Sequence, residues 1–102
     1  MIDTIPPRKN RRLRNFREQY DALPEPVKEL AIKTFRMFLA NPQHPALACH
    51  ALKPTRRGRH IAESYAVYLS MKYRAIYFVS GDTNVWYWIG THADYDHFTG
   101  NI

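Results

Sequence analysis

The chain has 102 residues, enough for one domain and one compact site but not for a separate cofactor domain. Its 45% apolar and 14% aromatic content excludes disorder, while fifteen Lys and Arg against nine Asp and Glu leave +6, a balance that points to a polyanion or an acidic protein as partner. The single Cys49 rules out a disulfide framework and a cysteine-rich zinc site and suits a reducing cytosol; with no apolar run near the ~20 residues of a membrane span and no signal-like stretch in the first residues, a cytoplasmic protein without a membrane partner is expected.

The positive charge is concentrated in two places. Residues 1–17 hold six cations against Asp3, a net of +5, and residues 53–59 carry +4 through Lys53, Arg56, Arg57 and Arg59. Residues 1–14 read as a basic N-terminal arm or a highly charged edge strand near Arg8 to Arg14, and residues 15–102 as a single domain. Asn15 followed by Glu18 has capping-box spacing, and Leu13, Phe16, Tyr20 and Leu23 recur at helical intervals, so a short helix is expected over residues 15–22. Leu23-Pro24 ends it. From Pro26 a second stripe, Val27, Leu30, Ala31, Phe35, Phe38 and Leu39, runs until Asn41-Pro42, which makes a helical hairpin joined by a tight proline turn.

After a proline-containing loop over residues 41–47 the pattern changes to strands. Ser64-Tyr-Ala-Val-Tyr-Leu-Ser70, Tyr73-Arg-Ala-Ile-Tyr-Phe-Val-Ser80 and Asn84-Val-Trp-Tyr-Trp-Ile-Gly90 are rich in aromatic and β-branched residues, and their short connections suit an antiparallel meander. A further strand near Leu47 to Lys53 would precede it. Helices followed by strands give an α+β fold, with an N-terminal helical hairpin packed on a small, mainly antiparallel sheet.

Strict alternation would place Tyr73, Ala75, Tyr77 and Val79 on one face and Arg74, Ile76 and Phe78 on the other; in the last strand Val85, Tyr87 and Ile89 would oppose Trp86 and Trp88. Both faces are apolar, and the helical hairpin covers only one. The second is expected to meet a partner or line a cleft.

Arg74 stands out because a guanidinium in mid-strand is costly to bury without an anion. Its partner would be a carboxylate, Asp94, Asp96 or Glu63, or a phosphate, which suits the guanidinium fork equally. His92, Asp94, Tyr95, Asp96 and His97 form a titratable cluster directly after the last strand, where they would either cap a turn or short helix or take part in catalysis. The histidines lack the HExxH arrangement, Cys49 has no partner cysteine, and there is neither a glycine-rich phosphate loop nor a Gly-x-Ser-x-Gly elbow. No metal and no cofactor is expected.

Five segments in order, Phe16-Arg-Glu-Gln-Tyr-Asp-Ala-Leu-Pro24, Phe38-Leu-Ala-Asn-Pro-Gln-His-Pro45, Leu52-Lys53 before a basic loop, Tyr73-Arg-Ala-Ile-Tyr77 and Trp88-Ile-Gly-Thr-His-Ala-Asp-Tyr-Asp96, resemble the RelE/ParE superfamily of bacterial toxins from type II toxin–antitoxin systems. The resemblance spans about residues 13–98. It implies the hairpin-on-sheet fold and one of two activities. RelE-like members are mRNA interferases, endoribonucleases that cleave mRNA in the ribosomal A site; they use a basic residue before the first meander strand, an Arg in the middle strand, and basic, His or Tyr groups after the last. Lys53 and Arg74 match the first two positions, His92 falls where some members carry a basic residue, and Tyr95 and His97 lie near a family Tyr whose best-aligned position here is Phe98.

The implied chemistry is metal-independent: the RNA 2′-OH attacks the adjacent phosphorus, Arg74 holds the phosphate, Lys53 adds positive potential, His92 or His97 moves protons, and Tyr95 orients or stacks a base. Arg56, Arg57 and Arg59 would bind RNA phosphates. Implied partners are a cognate acidic antitoxin, mRNA and ribosomal RNA. ParE-like members instead inhibit DNA gyrase without being nucleases, and a degenerate, non-toxic interaction module is the third alternative.

Overall fold

Pro24 separates the first two helices of the computed structural model, which describes residues 8–54 and 58–100. Helix α1 runs over Arg14–Asp21 and helix α2 over Glu25–Ala40, with Pro24 at the N-cap of α2 and Pro26 in its first turn, where a missing N–H costs nothing. The expected capping box at Asn15 is not formed. Leu13 occupies the N-cap, because its N–H donates to the Trp86 carbonyl (2.9 Å) and the chain passes straight from a strand into α1. Glu18 instead accepts from Arg14 Nε at 2.9 Å.

Five strands form one sheet in the order β1-β5-β4-β3-β2: β1 is Lys9–Arg12, β2 His50–Ala51, β3 Ser64–Ser70, β4 Tyr73–Ser80 and β5 Thr83–Thr91. Three of the four pairings are antiparallel, and β1 joins β5 in parallel. The charged segment before α1 is thus an edge strand. Its register is held by Asn10, whose side-chain oxygen accepts from Trp86 Nε1 (2.9 Å) and Asn84 Nδ2 (3.3 Å). The expected strand near Leu47 to Lys53 shrinks to two residues, because Pro45–Leu47 forms a 3-10 turn that buries Leu47.

The helical hairpin covers one sheet face. Phe16, Phe38, Val67, Ala75, Tyr77, Trp86 and Ile89 form this core, with Trp86 in edge-on contact with Phe16, Phe35 and Phe38. In β4 the alternation read from the sequence holds, but in β5 it does not. Ile76 pairs with Trp88 and Tyr77 with Trp86, so Tyr87 is an extra, bulged residue. The bulge separates the residues expected to share faces: Trp86 and Ile89 join the helix-side core, while Tyr87 and Trp88 join the opposite one.

That opposite face was expected to meet a partner or line a cleft, and much of it is covered by the chain itself. Helix α3, His92–Thr99, packs Tyr95 and Phe98 onto Ala66, Ile76, Tyr87 and Trp88. Thr91 caps it by accepting from Asp94 N–H at 3.1 Å, and Gly100 ends it in a left-handed conformation (φ +76°) that suits glycine. The octapeptide offers only two large apolar residues, three apart, so its helical period is faint in the sequence.

Candidate functional site

Arg74 lies on the α3-covered face of β4, only 7% exposed. Across the sheet its neighbours are Tyr68 on β3 and Gly90 on β5. The space over Gly90 is taken by Trp88, whose ring lies 3.0 Å from where a Cβ would stand, and the guanidinium leans the other way. Its carbon sits 3.7 Å from the Tyr68 ring centroid and 6.0 Å from that of Tyr95. Nη1 donates to the carbonyls of Ser70 and Tyr73, the latter at 3.0 Å, which ties the β3–β4 turn to the site.

The carboxylates offered by the sequence do not take this charge. Among the described residues Arg74 makes no ion pair: Asp96 approaches His92 instead (Oδ1 to Nε2, 3.4 Å), and Asp94 lies exposed in the first turn of α3. A buried guanidinium held by two carbonyls and an aromatic ring retains donors for an anion. The N-terminus of α3 adds a partial positive charge on the same side.

His92 opens α3, its backbone N–H donating to the Lys72 carbonyl at 2.7 Å, and its imidazole is about half exposed. Its ring centroid is 6.2 Å from that of Tyr95, which is buried. Burial raises the Tyr95 phenol above its ordinary range; the Arg74 charge opposes this and Asp96 adds to it. Arg74, His92 and Tyr95 are therefore brought together, with Tyr95 a neutral phenol at pH 7.

Lys53 and His97 are not part of that cluster. Leu52 N–H donates to the Ser64 carbonyl at the start of β3, whereas Arg74 pairs with Tyr68, four residues further along, or about 13 Å of strand. His97 and Arg59 line a cleft of about 490 Å3 along the outer edge of β5, with Asp94 and Tyr73; Arg74 is not in its lining. The Arg59 N–H donates to the Phe98 carbonyl at 2.7 Å, so the basic segment meets α3 at its C-terminal end. Arg56 and Arg57 lie outside the described residues, as do residues 1–7 of the basic arm.

No protein-family model matches the sequence, and no curated protein is significantly similar to it. Solved structures are. YafQ from E. coli superposes with a TM-score of 0.65 at 15% identity, over 86% of this chain and 97% of YafQ. The toxin–antitoxin complex RelBE2 from Mycobacterium tuberculosis gives 0.60 at 19% identity, over 85% of this chain and all of the matched one. A YoeB/ParE toxin from Agrobacterium tumefaciens gives 0.63 at 15% identity, over 82% and 98%. The chain has the RelE/ParE toxin fold.

Within this RelE-like fold two residues escaped the sequence reading. Tyr68 is visible only once the β3–β4 register places it opposite Arg74; the signal was its symmetric place in the hairpin. His60 donates from Nε2 to the Lys53 carbonyl at 2.9 Å, a closure across seven residues that no local periodicity announces. Among the described residues no group of three or more His, Cys, Asp or Glu side chains is placed to hold a metal ion.

Proposed function

We propose that the chain is the toxin of a type II toxin–antitoxin system and acts in the cytoplasm as a ribosome-dependent mRNA endoribonuclease. The observation that carries this reading is the buried Arg74, held without a carboxylate beside the half-exposed His92 and the phenol of Tyr95. The RelE-like fold supports it, as does its likeness to the RelBE2 toxin–antitoxin complex and to the YoeB/ParE toxin.

In this reading a phosphate of the RNA takes the free donors of Arg74. The adjacent 2′-oxygen attacks phosphorus as its proton leaves to a base; the pentacoordinate intermediate puts charge on the non-bridging oxygens, where the guanidinium and the N-terminus of α3 stabilise it. The bond to the 5′-oxygen breaks as that oxygen takes up a proton, leaving a 2′,3′-cyclic phosphate and a 5′-hydroxyl. His92 is the proton carrier best placed for this, with Asp96 Oδ1 3.4 Å from its Nε2. Tyr95 lends its hydroxyl and the edge of its ring. Lys53, Arg59 and His97 contribute to RNA binding away from the reacting phosphate.

An acidic antitoxin segment is the matching protein partner. The groove between α1, α2 and the sheet, about 600 Å3, has Phe38 and Trp86 in its floor and Arg12 and Arg36 in its lining, which suits an amphipathic helix with carboxylates along one side. No helix among the described residues is long and apolar enough to cross a membrane.

The test is induction in a bacterium with mapping of transcript ends. Growth arrest with A-site cleavage that disappears in Arg74→Ala, while the variant keeps its melting temperature, is the expected result. Cleavage by a folded Arg74→Ala variant would refute it, and DNA damage with intact transcripts would transfer the fold to gyrase inhibition.

A further inference from the structure

The described residues on either side of positions 55–57 are tied to each other and to the far end of α3. His60 Nε2 donates to the Lys53 carbonyl at 2.9 Å, which fixes the tautomer and leaves the buried Nδ1 without a partner among the described residues. Arg59 N–H donates to the Phe98 carbonyl. Immediately beyond, Ile61 N–H donates to the Tyr87 hydroxyl at 2.9 Å, and Ser64, fully buried, bridges the Ile61 carbonyl (2.6 Å) and the Tyr87 hydroxyl (2.5 Å). The bulge in β5 is what turns Tyr87 toward this loop.

Two exposed cations, Lys53 and Arg59, are therefore carried by backbone that is held at both ends. Lys53 is tied to His60, and Arg59 stands at the C-terminal end of α3, where the helix dipole favours positive charge. Arg74 and His92 stand at its other end, about 12 Å away along eight helical residues.

We infer that His60 is a positioning residue whose bond to the Lys53 carbonyl keeps Lys53 beside Arg59 as a second phosphate-gripping station for single-stranded RNA, separate from the Arg74 centre. The inference deepens the ribonuclease reading and rests on RNA being the ligand. Lys53 then acts in binding and not in bond cleavage. A positively charged pair one helix length from the reacting phosphate fixes the register of the strand without touching the 2′-oxygen. Its binding energy is of the counterion-release kind and falls with salt.

The experiment uses the full chain, a labelled single-stranded RNA oligonucleotide and programmed ribosomes. His60→Ala should weaken oligonucleotide binding about five- to tenfold and reduce the slope of log affinity against log salt by about one, the change for one lost phosphate contact. On ribosomes KM should rise with kcat unchanged. His60→Gln, whose amide N–H can still donate to the Lys53 carbonyl, should recover most of the affinity, and both variants should melt within a few degrees of the parent. Unchanged affinity and salt slope in a folded His60→Ala variant would overturn the inference, as would a fall in kcat at unchanged KM, no rescue by Gln, or a parent chain that binds no RNA. These outcomes are distinct from failure of the ribonuclease reading, which turns on cleavage by Arg74→Ala.

Discussion

The ring of Tyr68 and the guanidinium of Arg74 are cross-strand partners stacked 3.7 Å apart, on the face of the sheet that α3 covers. The ring restricts the guanidinium to one plane and offers its electron-rich face to the charge, an interaction worth about 0.5–2 kcal/mol. Tyr68→Leu removes that plane. We expect RNA cleavage to fall about tenfold, in keeping with an interaction of that size. Tyr68→Phe keeps the ring and should retain nearly full activity. Single-turnover cleavage rates of the two variants decide between an aromatic platform and a role for the hydroxyl.

Gly90 faces Arg74 from the other side, and a Cβ there would stand 3.0 Å from the Trp88 ring. That ring is stacked on Phe98 at 5.4 Å and contacts Tyr95, so yielding would disturb both contacts. Gly90→Ala should therefore destabilise the fold by about 1–3 kcal/mol, the usual range for overpacking a filled core. Urea denaturation measures this; a midpoint equal to the parent's would show that α3 shifts without cost.

Three tyrosines set the alkaline limit of stability. Burial raises the phenols of Tyr77, Tyr87 and Tyr95; Tyr77 is raised further by its hydrogen bond to Cys49, and the bond of Tyr87 to Ser64 works against its shift. A folded-state value above the unfolded one means that the folded chain retains its protons longer. The stabilisation is full below about pH 10, where unfolded tyrosine titrates, and is lost as pH climbs through and beyond it. Thermal unfolding between pH 8 and 12 should show a falling melting temperature above pH 10, less steep in Tyr77→Phe than in the parent. A pH-independent melting temperature would contradict it.

The fold was legible where period and punctuation agreed. Pro24, Pro26 and Pro42 bracket α2, and the aromatic runs give β3, β4 and β5 nearly to the residue, because local chemistry alone sets these limits. The reading failed where one residue changed the phase. The bulge at Tyr87 moved Trp88 to the face opposite Trp86, and no property of Val85-Trp86-Tyr87-Trp88 marks which residue will be extra. Helix α3 was hidden for another reason: Tyr95 and Phe98 are too few to show a period, and what makes the segment helical is the apolar face waiting beneath it. Arg74 announced itself as a buried charge, but its choice of Tyr68 and two carbonyls over Asp94, Asp96 or Glu63 depends on tertiary geometry. The separation of Lys53 and His97 from it has the same origin.

The parallel pairing of β1 with β5 brings Lys9 beside Thr83 and Arg12 beside Trp86, so β1, made before the other four strands of the sheet, must wait for β5, made after them. Until β5 has emerged, β1 has no partner, α1 has no floor, and Trp86, the centre of the helix-side core, is absent. Helix α3, which carries His92 and Tyr95, follows β5 directly and emerges after it. Such long-range closure makes folding slow relative to local helix formation. A chain synthesised only as far as β4 therefore lacks the full sheet, and Arg74, His92 and Tyr95 come together only once α3 has been made.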